Sequence, residues 1–208
     1  MKRFDIQLIH GLPVGDNATD AVNPPIYNSS TYTFGSVREM PRWDYARSGN
    51  PTREFLERQQ ENAQAIAEYL EANPLVAAVH YPGLSADRER LLADNGLRGF
   101  GGVLSFEVAD GVDPEVLFDS LRLFHLAVSL GVVESLAELP SRMTHFELPR
   151  EERLKVGITD GLIRLAVGIE DKTDLIDDLA HAFAVASGGR AARCTDPTTI
   201  PTTQGANR

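Results

Sequence analysis

The amino-acid sequence predicts a small α/β (α+β) domain: an antiparallel or mixed sheet covered by helices on one face, with an extended arm at the N-terminus. Three observations favour this class. A strand-like apolar run passes into an amphipathic helix within residues 157–179, a second amphipathic helix occupies Gln60–Asn73, and residues 1–36 show no periodicity. The 208 residues suffice for one domain with an arm and a buried core.

The bulk composition narrows the possible partners. The net charge of −10 disfavours polyanions, and the chain has no basic cluster of the kind that binds nucleic acid. The single cysteine, Cys194, cannot form an internal disulfide, and the N-terminus lacks the apolar core of a signal peptide. No uninterrupted apolar run is long enough to span a membrane. The sequence therefore predicts a cytoplasmic protein without nucleic-acid or membrane partners.

The most informative stretch is residues 157–179. Its apolar residues Leu162, Leu165 and Val167 lie between bounding glycines, which predicts a short buried strand. The helix that follows begins with acidic residues, where the helix dipole favours them. Arg164 departs from this pattern, because a guanidinium in an apolar strand is costly unless an anion meets it. The residues alone favour an ordinary interpretation, in which the arginine faces solvent or pairs with a nearby acid.

The N-terminal 36 residues contain Pro13, Pro24 and Pro25 among scattered glycine, asparagine, serine and threonine. This composition predicts an extended, turn-rich arm. An arm so poor in core residues needs another surface on which to lie.

The segment Trp43–Arg58 joins the arm to a helix. Its Asn-Pro-Thr sequence at residues 50–52 predicts a helix start, since proline suits the first turn. Tyr45 and Arg47 alternate along extended chain, so both side chains can project to the same side. In an isolated Tyr-x-Arg sequence, an exposed tyrosine and a solvated arginine would be the ordinary interpretation.

The remaining elements continue the α/β pattern. The sequence predicts a strand and turn after Pro74, a strand at Gly99–Val108, a helix at Pro114–Leu121, and a strand leading into a turn at Leu126–Leu136. Residues 187–208 are rich in glycine, threonine, proline and arginine without periodicity, which predicts a disordered tail. The histidines show no metal-ligand spacing, so no metal site is predicted.

Five sequence motifs together resemble those of one known family. They are AVNPPIYNSSTYTF (Ala21–Phe34), YARSGNPT from Tyr45, SLGVVESL from Ser129, MTH at residues 143–145, and GITDGLIRLAVGIED from Gly157. This combination is similar to the Cys/Met-metabolism (trans-sulfuration) family of pyridoxal-phosphate (PLP) enzymes, which includes cystathionine γ-synthase and γ-lyase. The resemblance covers residues 5–58 and 60–186. It implies the small C-terminal domain of fold-type I PLP enzymes, a mostly antiparallel sheet with helices on one face.

The resemblance also implies a substrate site. Arg164 matches the arginine that grips the α-carboxylate of the amino-acid substrate, and Ser129 and Leu130 fall beside it. Glu134 matches a position that lines the distal end of the substrate in γ-synthases and γ-lyases. For Glu134, a carboxylate at a helix start is nearly as good an interpretation.

The arm has implied partners as well. In the family, the arm that matches Ala21–Phe34 embraces a neighbouring subunit. The pair that matches Tyr45 and Arg47 binds the phosphate of the cofactor held by that subunit. The resemblance therefore implies PLP as the cofactor and association with another subunit.

The family's large cofactor domain, with its Ser-x-Thr-Lys motif, would lie between residues 50–52 and Gln60–Asn73, but the chain joins these two segments without a linker. Its lysines are Lys2, Lys155 and Lys172, and none has that setting. A PLP enzyme of this kind needs a Schiff-base lysine. We therefore expect no catalytic residue and no PLP binding by this chain alone. The predicted organisation is an arm with the first helix (1–59), the small domain (60–186) and the tail (187–208).

Three hypotheses about function stay open at this point. The first is a truncated enzyme of γ-elimination or γ-replacement on sulfur amino acids such as cystathionine, O-acylhomoserine or methionine, inactive by itself. The second is a non-catalytic interaction module that pairs with full-length relatives, and the third is a deletion product without function. We expect the missing large domain to leave an apolar surface exposed, through which the chain self-associates.

Overall fold

A computed structural model describes residues 28–36, 38, 41, 44, 45, 47, 49–97, 99–130 and 133–188, without the side chains of residues 51 and 52. Most of the predicted arm and nearly all of the predicted tail lie outside these ranges, so both stay predictions. Lys2 and Cys194 also lie outside the described residues.

The described chain contains five α-helices and five β-strands. In chain order they are α1 (Pro51–Glu71), β1 (Val76–His80), α2 (Arg88–Asn95), β2 (Val103–Val108), α3 (Pro114–Asp119), β3 (His125–Leu126), β4 (Leu136–Glu138), α4 (Arg150–Lys155), β5 (Leu162–Ala166) and α5 (Lys172–Ala186). A short 3-10 turn covers Pro82–Leu84. Within the described ranges, none of the helices combines the length and apolar character needed to cross a membrane.

The five strands form one sheet in the order β1-β2-β5-β4-β3. The pairs β1–β2, β2–β5 and β4–β5 are antiparallel, whereas the edge pair β3–β4 is parallel. The central strand, β5, is the one that the apolar run after Gly157 predicted. The predicted α/β (α+β) class with a mostly antiparallel sheet is confirmed.

Strands β2 and β5 alternate between a core face and a polar face. Leu104 pairs in register with Leu165, and Phe106 with Ile163, and all four side chains are buried. Helix α1 packs on this side of the sheet, and the ring of Phe106 lies against α5. Because side chains alternate along a strand, Arg164 lies on the opposite face, the polar face.

Helix α1 is longer than the sequence indicated. The sequence placed a helix start at residues 50–52 and a separate amphipathic helix at Gln60–Asn73, whereas α1 runs without interruption from Pro51 to Glu71. Beyond Pro51 the helix contains no proline or glycine, and its glutamine, glutamate, arginine and alanine residues have high helix propensity. The predicted boundary at residue 59 therefore falls inside one helix.

For Leu126–Leu136 the sequence predicted a strand leading into a turn, but within this stretch only Leu126 and Leu136 belong to strands. Strand β3 ends at Leu126 and β4 begins at Leu136, and the described residues between them form a loop. The carbonyl groups of Val128 and Ser129 accept hydrogen bonds from a side chain of β5 instead of a neighbouring strand. A parallel pair also requires a connection that reverses direction twice, which a continuous strand cannot provide.

The sequence analysis also missed α2 and α4. Helix α4 anchors the loop that leads into β5, because Arg150 and Arg153 donate to the two carboxylate oxygens of Asp160 at 2.6 and 2.8 Å. These hydrogen bonds, that of Arg150 first, hold the pKa of Asp160 below its usual value. The start of the central strand is thus fixed by a short helix with no strong apolar pattern.

A buried polar cluster joins α1, the β3–β4 loop and the turn after β5. Asn62 in α1 donates to the carbonyl oxygens of Gly168 (3.1 Å) and Glu170 (2.8 Å). The Glu170 carboxylate accepts from the backbone nitrogen and the hydroxyl of Ser135 at 2.7 and 2.8 Å. The backbone nitrogen of Gly168 donates to the same hydroxyl at 2.8 Å. Because buried polar groups are stable only with partners, this cluster fixes the loop relative to β5.

We predict that Gly168→Ala destabilises the fold by about 3 kcal/mol, measured by chemical denaturation. A Cβ at this position would lie 2.6 Å from the carbonyl carbon of Glu134 and closer still to the carbonyl oxygen of Val133, and backbone cannot move aside cheaply. The matched control is Gly35→Ala, because a Cβ there meets nothing within 4 Å. Equal denaturation midpoints for the two variants would contradict this account of the loop.

Candidate functional site

Arg164 is the centre of the candidate site. It lies in the middle of β5, between the buried side chains of Ile163 and Leu165, and projects from the polar face. Its register partners are Ser105 on β2 and Glu138 on β4. The strand pairing therefore brings one acidic side chain directly beside the arginine.

Every described contact of the Arg164 guanidinium is made by Nη2. This nitrogen donates to the carbonyl oxygens of Val128 and Ser129, each at 3.1 Å, and forms an ion pair with the Glu138 carboxylate. Nε is buried without a hydrogen-bond acceptor among the described residues. About a quarter of the side chain (23%) stays exposed. The guanidinium is thus held through Nη2, whereas Nη1 has no hydrogen bond to a described residue.

Glu138 is the counter-charge of this arginine. Its side chain is 1% exposed, and its Oε1 accepts a hydrogen bond from the hydroxyl of Thr144. Its Oε2 contacts Arg164 as an ion pair without the alignment of a hydrogen bond. The Thr144 hydroxyl also lies 2.8 Å from Nδ1 of His145. A chain of four polar side chains therefore ends at the guanidinium.

The predicted neighbours of Arg164 lie in the β3–β4 loop. The Ser129 carbonyl oxygen contacts the guanidinium, as the prediction placed it. Leu130 follows it, and its side chain is exposed. The loop keeps this position because the Ser135 hydroxyl and backbone are bound to Glu170. Whether Ser129 and Leu130 touch a substrate stays a prediction.

Glu134 lies elsewhere on this loop. Its Oε2 is 3.9 Å from Nε2 of His125 on the edge strand β3, and its side chain is partly exposed. Arg164 is not in contact with it, because the described partners of Arg164 are Val128, Ser129 and Glu138. The role of Glu134 at the distal end of a substrate therefore stays a prediction.

Tyr45 and Arg47 lie close to each other, as their alternation in the sequence suggested. The guanidinium carbon of Arg47 is 5.2 Å from the ring centre of Tyr45. Tyr45 also forms an isolated β-bridge with Thr31, and both Tyr45 and Arg47 are exposed. A hydroxyl and a guanidinium presented together are suitable donors for a phosphate. Neither residue contacts Arg164.

The described lysines do not suit a cofactor that is held through an amine. The Lys155 amine forms a hydrogen bond with Glu152 at 2.6 Å on the exposed surface of α4. Lys172 is exposed at the start of α5. A nucleophilic lysine is activated by burial or by a neighbouring cation, and neither of these two side chains has the burial. A cofactor role for Tyr45 and Arg47, and the expected lack of a Schiff-base lysine, both stay predictions.

Metal ligation has no support in the described ranges. The structure brings together no group of three or more histidine, cysteine, aspartate or glutamate side chains there that could hold a metal ion.

Sequence reasoning missed Glu138 and Thr144. Thr144 was noted only as part of the Met-Thr-His motif, and Glu138 stood out in no pattern because it lies between apolar residues. The signal is the strand register: pairing Leu136 with Ala166 places Glu138 opposite Arg164. That register depends on which strands pair, which a single sequence does not disclose.

Fold and site together define a class: a small α/β domain whose central strand presents a partly exposed arginine, held through one guanidinium nitrogen, on the polar face of the sheet. The more particular assignment comes from the sequence. The family described as Cys/Met metabolism PLP-dependent enzyme matches residues 5–60 and 56–184. The chain belongs to this family.

Individual relatives agree with the family match. Cystathionine gamma-lyase of Bacillus subtilis is 47% identical over 59% of this chain and 32% of its own length. Cystathionine beta-lyase of Lactococcus lactis subsp. cremoris is 47% identical over 62% of this chain and 34% of its own length. The chain therefore spans about a third of the length of the curated relatives it matches.

Solved structures show the same partial likeness. Cystathionine gamma-lyase from Lactobacillus plantarum, complexed with L-serine, has a TM-score of 0.59 and 40% identity over 64% of this chain and 35% of that one. Cystathionine gamma synthase from Xanthomonas oryzae pv. oryzae, in complex with cystathionine, has a TM-score of 0.59 and 41% identity over 66% of this chain and 36% of that one. At this identity and TM-score the α/β fold described above is shared with these proteins.

Proposed function

We propose that this chain is the substrate-carboxylate-binding part of a trans-sulfuration enzyme and that it is inactive by itself. The observation that carries the proposal is the state of Arg164: Nη2 is held by the protein, while Nη1 has no described protein partner. A guanidinium binds a carboxylate through strong, charge-assisted hydrogen bonds. The α-carboxylate of a sulfur amino acid such as cystathionine, an O-acylhomoserine or methionine is the proposed ligand.

The protein groups around Arg164 would orient this ligand. The Val128 and Ser129 carbonyl groups keep Nη2 in place, so an incoming carboxylate meets a fixed donor. Fixing the carboxylate fixes the α-carbon next to it, which lowers the entropic cost of reaching a reactive arrangement. We assign the distal end of the ligand to Glu134, and this assignment rests on family resemblance.

The reaction itself requires PLP held outside this chain. In the family, γ-elimination and γ-replacement depend on a cofactor that withdraws electrons from the α and β carbons of the substrate. Tyr45 and Arg47 would supply phosphate donors to a cofactor held by another, complete subunit. The lysines of the sequence, none of which lies in a Ser-x-Thr-Lys setting, support the proposal that this chain lacks the large cofactor domain. We further propose that the protein is part of an oligomer, acts in methionine biosynthesis and is located in the cytoplasm.

We predict that Arg164→Lys weakens binding of L-cystathionine about tenfold or more, because an ammonium keeps the charge but loses the planar donor edge. The measurement is an NMR titration of the isotope-labelled full chain. The wild-type protein should show saturable shifts centred on Arg164 and Ser129.

The matched control is Arg142→Lys, which changes an exposed arginine paired with Glu115 outside the site. It should bind as the wild type does. Equal affinities for wild type and Arg164→Lys, or shifts that avoid β5 and the β3–β4 loop, would refute the assignment of Arg164.

A second candidate function, a module that pairs with a full-length relative, is favoured by one further observation. Leu126, Val128 and Leu130 occupy alternate positions on β3 and the loop after it, and they are 48%, 54% and 67% exposed. We call these three residues the edge patch. Exposed apolar side chains grouped on one segment are typical of a covered interface. We propose that the edge patch binds the large domain of a complete family member. In a pure sample, a second copy of this chain would cover the patch instead.

We predict concentration-dependent self-association of the purified chain in sedimentation, and its loss in Leu130→Glu. The introduced glutamate carboxylate would lose its hydration in the interface, and the apolar contacts there would not compensate for that free-energy cost. Leu97→Glu, an exposed leucine outside the edge patch, is the control and should associate as the wild type does. A wild-type chain that stays monomeric at all concentrations would contradict self-association through the edge patch.

A further inference from the structure

We infer that Glu138, Thr144 and His145 form a support chain that determines which edge of Arg164 receives a ligand. These three side chains are positioning residues, since they act through the arginine. The inference rests on the proposed function for the identity of the ligand. The contacts that form the support chain lie within the protein and do not depend on which ligand binds.

The ion pair at the base of the chain is fixed by the sheet. Glu138 and Arg164 are direct register partners on antiparallel strands, which places their Cβ atoms about 5 Å apart. The neighbouring residues Ala137 and Leu165 are fully buried on the core face, so the register cannot slip without exposing the core. A carboxylate that is 1% exposed is also costly without a cation beside it. Glu138 is therefore a permanent partner of Arg164.

The next member of the chain orients the carboxylate. Thr144 donates its hydroxyl proton to Oε1 of Glu138. A hydroxyl carries one proton, so the contact of 2.8 Å between Thr144 Oγ1 and His145 Nδ1 requires Nδ1 to be the donor. The donors then run in one direction, from His145 to Thr144 to Glu138. With Oε1 engaged in this way, Oε2 is the oxygen that forms the ion pair with the guanidinium.

The arrangement selects one nitrogen of the guanidinium. Nη2 carries two protons but faces three acceptors: the Glu138 carboxylate and the Val128 and Ser129 carbonyl oxygens. Nε is buried. Rotation about the Cζ–Nε bond exchanges the two Nη groups and, while it proceeds, loses the contacts with all three acceptors, so Glu138 and the two carbonyl groups together slow it. A ligand carboxylate then meets Nη1 in a fixed place.

The alternative is that Glu138 merely competes with the ligand for the positive charge. The two accounts predict opposite changes in ligand affinity when the charge of Glu138 is removed. If Glu138 positions the arginine, removing its charge frees the guanidinium and weakens ligand binding. If Glu138 competes, the same change strengthens ligand binding.

The test compares the full-length wild-type chain with Glu138→Gln, Thr144→Val and Thr144→Ser. Two quantities are measured: the rate of rotation of the Arg164 guanidinium by NMR without ligand, and the affinity for L-cystathionine. We expect Glu138→Gln to accelerate rotation and to weaken binding of L-cystathionine about tenfold. This is the scale of losing one hydrogen bond between the Arg164 guanidinium and the ligand carboxylate. Thr144→Val should act in the same direction with a smaller effect, and Thr144→Ser should restore wild-type values. Glu147→Gln, the same change on an exposed carboxylate, should alter neither quantity.

Each outcome decides the matter. Unchanged rotation in both Glu138→Gln and Thr144→Val overturns the support chain, as does tighter binding by Glu138→Gln. If Glu138→Gln does not fold, Thr144→Val keeps the ion pair and carries the test, with Thr144→Ser as its rescue. If rotation responds as expected but even the wild type binds no L-cystathionine, the support chain stands and the proposed ligand is wrong.

Discussion

The register of β5 is the constraint on which the rest of this structure depends. Its alternate residues Ile163 and Leu165 are fully buried in the core, and the residue between them, Arg164, is presented on the other face. A slip of one residue would bury the guanidinium in the core and expose leucine to solvent. The same pairing that encloses the core therefore also places Arg164 beside Glu138.

Two buried glutamates connect this strand to its surroundings in different ways. Glu170 is bound by Ser135 through neutral donors and so fixes the β3–β4 loop as a structural element. Glu138 is bound by a cation and by a hydroxyl, and so determines how Arg164 is presented. A buried carboxylate is stable only when its oxygens have partners. The partners of the two carboxylates therefore differ in consequence: Glu170 stabilises the fold through Ser135, whereas Glu138 acts in the site through Arg164.

The sequence predicted the parts of the molecule that depend on local pattern. The apolar run around Arg164, the glycine-bounded strand at Val103–Val108 and the helix begun by Pro114 all have a short-range signal. The β3–β4 loop was predicted as strand, because its apolar residues signal burial in a sheet, whereas here they lie on an exposed edge. The ion pair of Glu138 with Arg164 was not predictable, because it arises from pairing between segments 26 residues apart and not from spacing within one segment. Helices α2 and α4 lack an apolar stripe, and tertiary contacts such as those of Arg153 hold α4 in place.

The central claim is that this chain carries the carboxylate-binding half of a PLP site without the amine that holds the cofactor. The most direct measurement is a titration of the purified chain with pyridoxal 5′-phosphate, followed by borohydride reduction and mapping of the labelled peptides. Lys155 is exposed and paired with Glu152, and Lys172 is exposed, so we predict weak, non-saturating label spread over all amines. Saturable attachment of one equivalent at a single lysine would contradict the account and identify a catalytic amine.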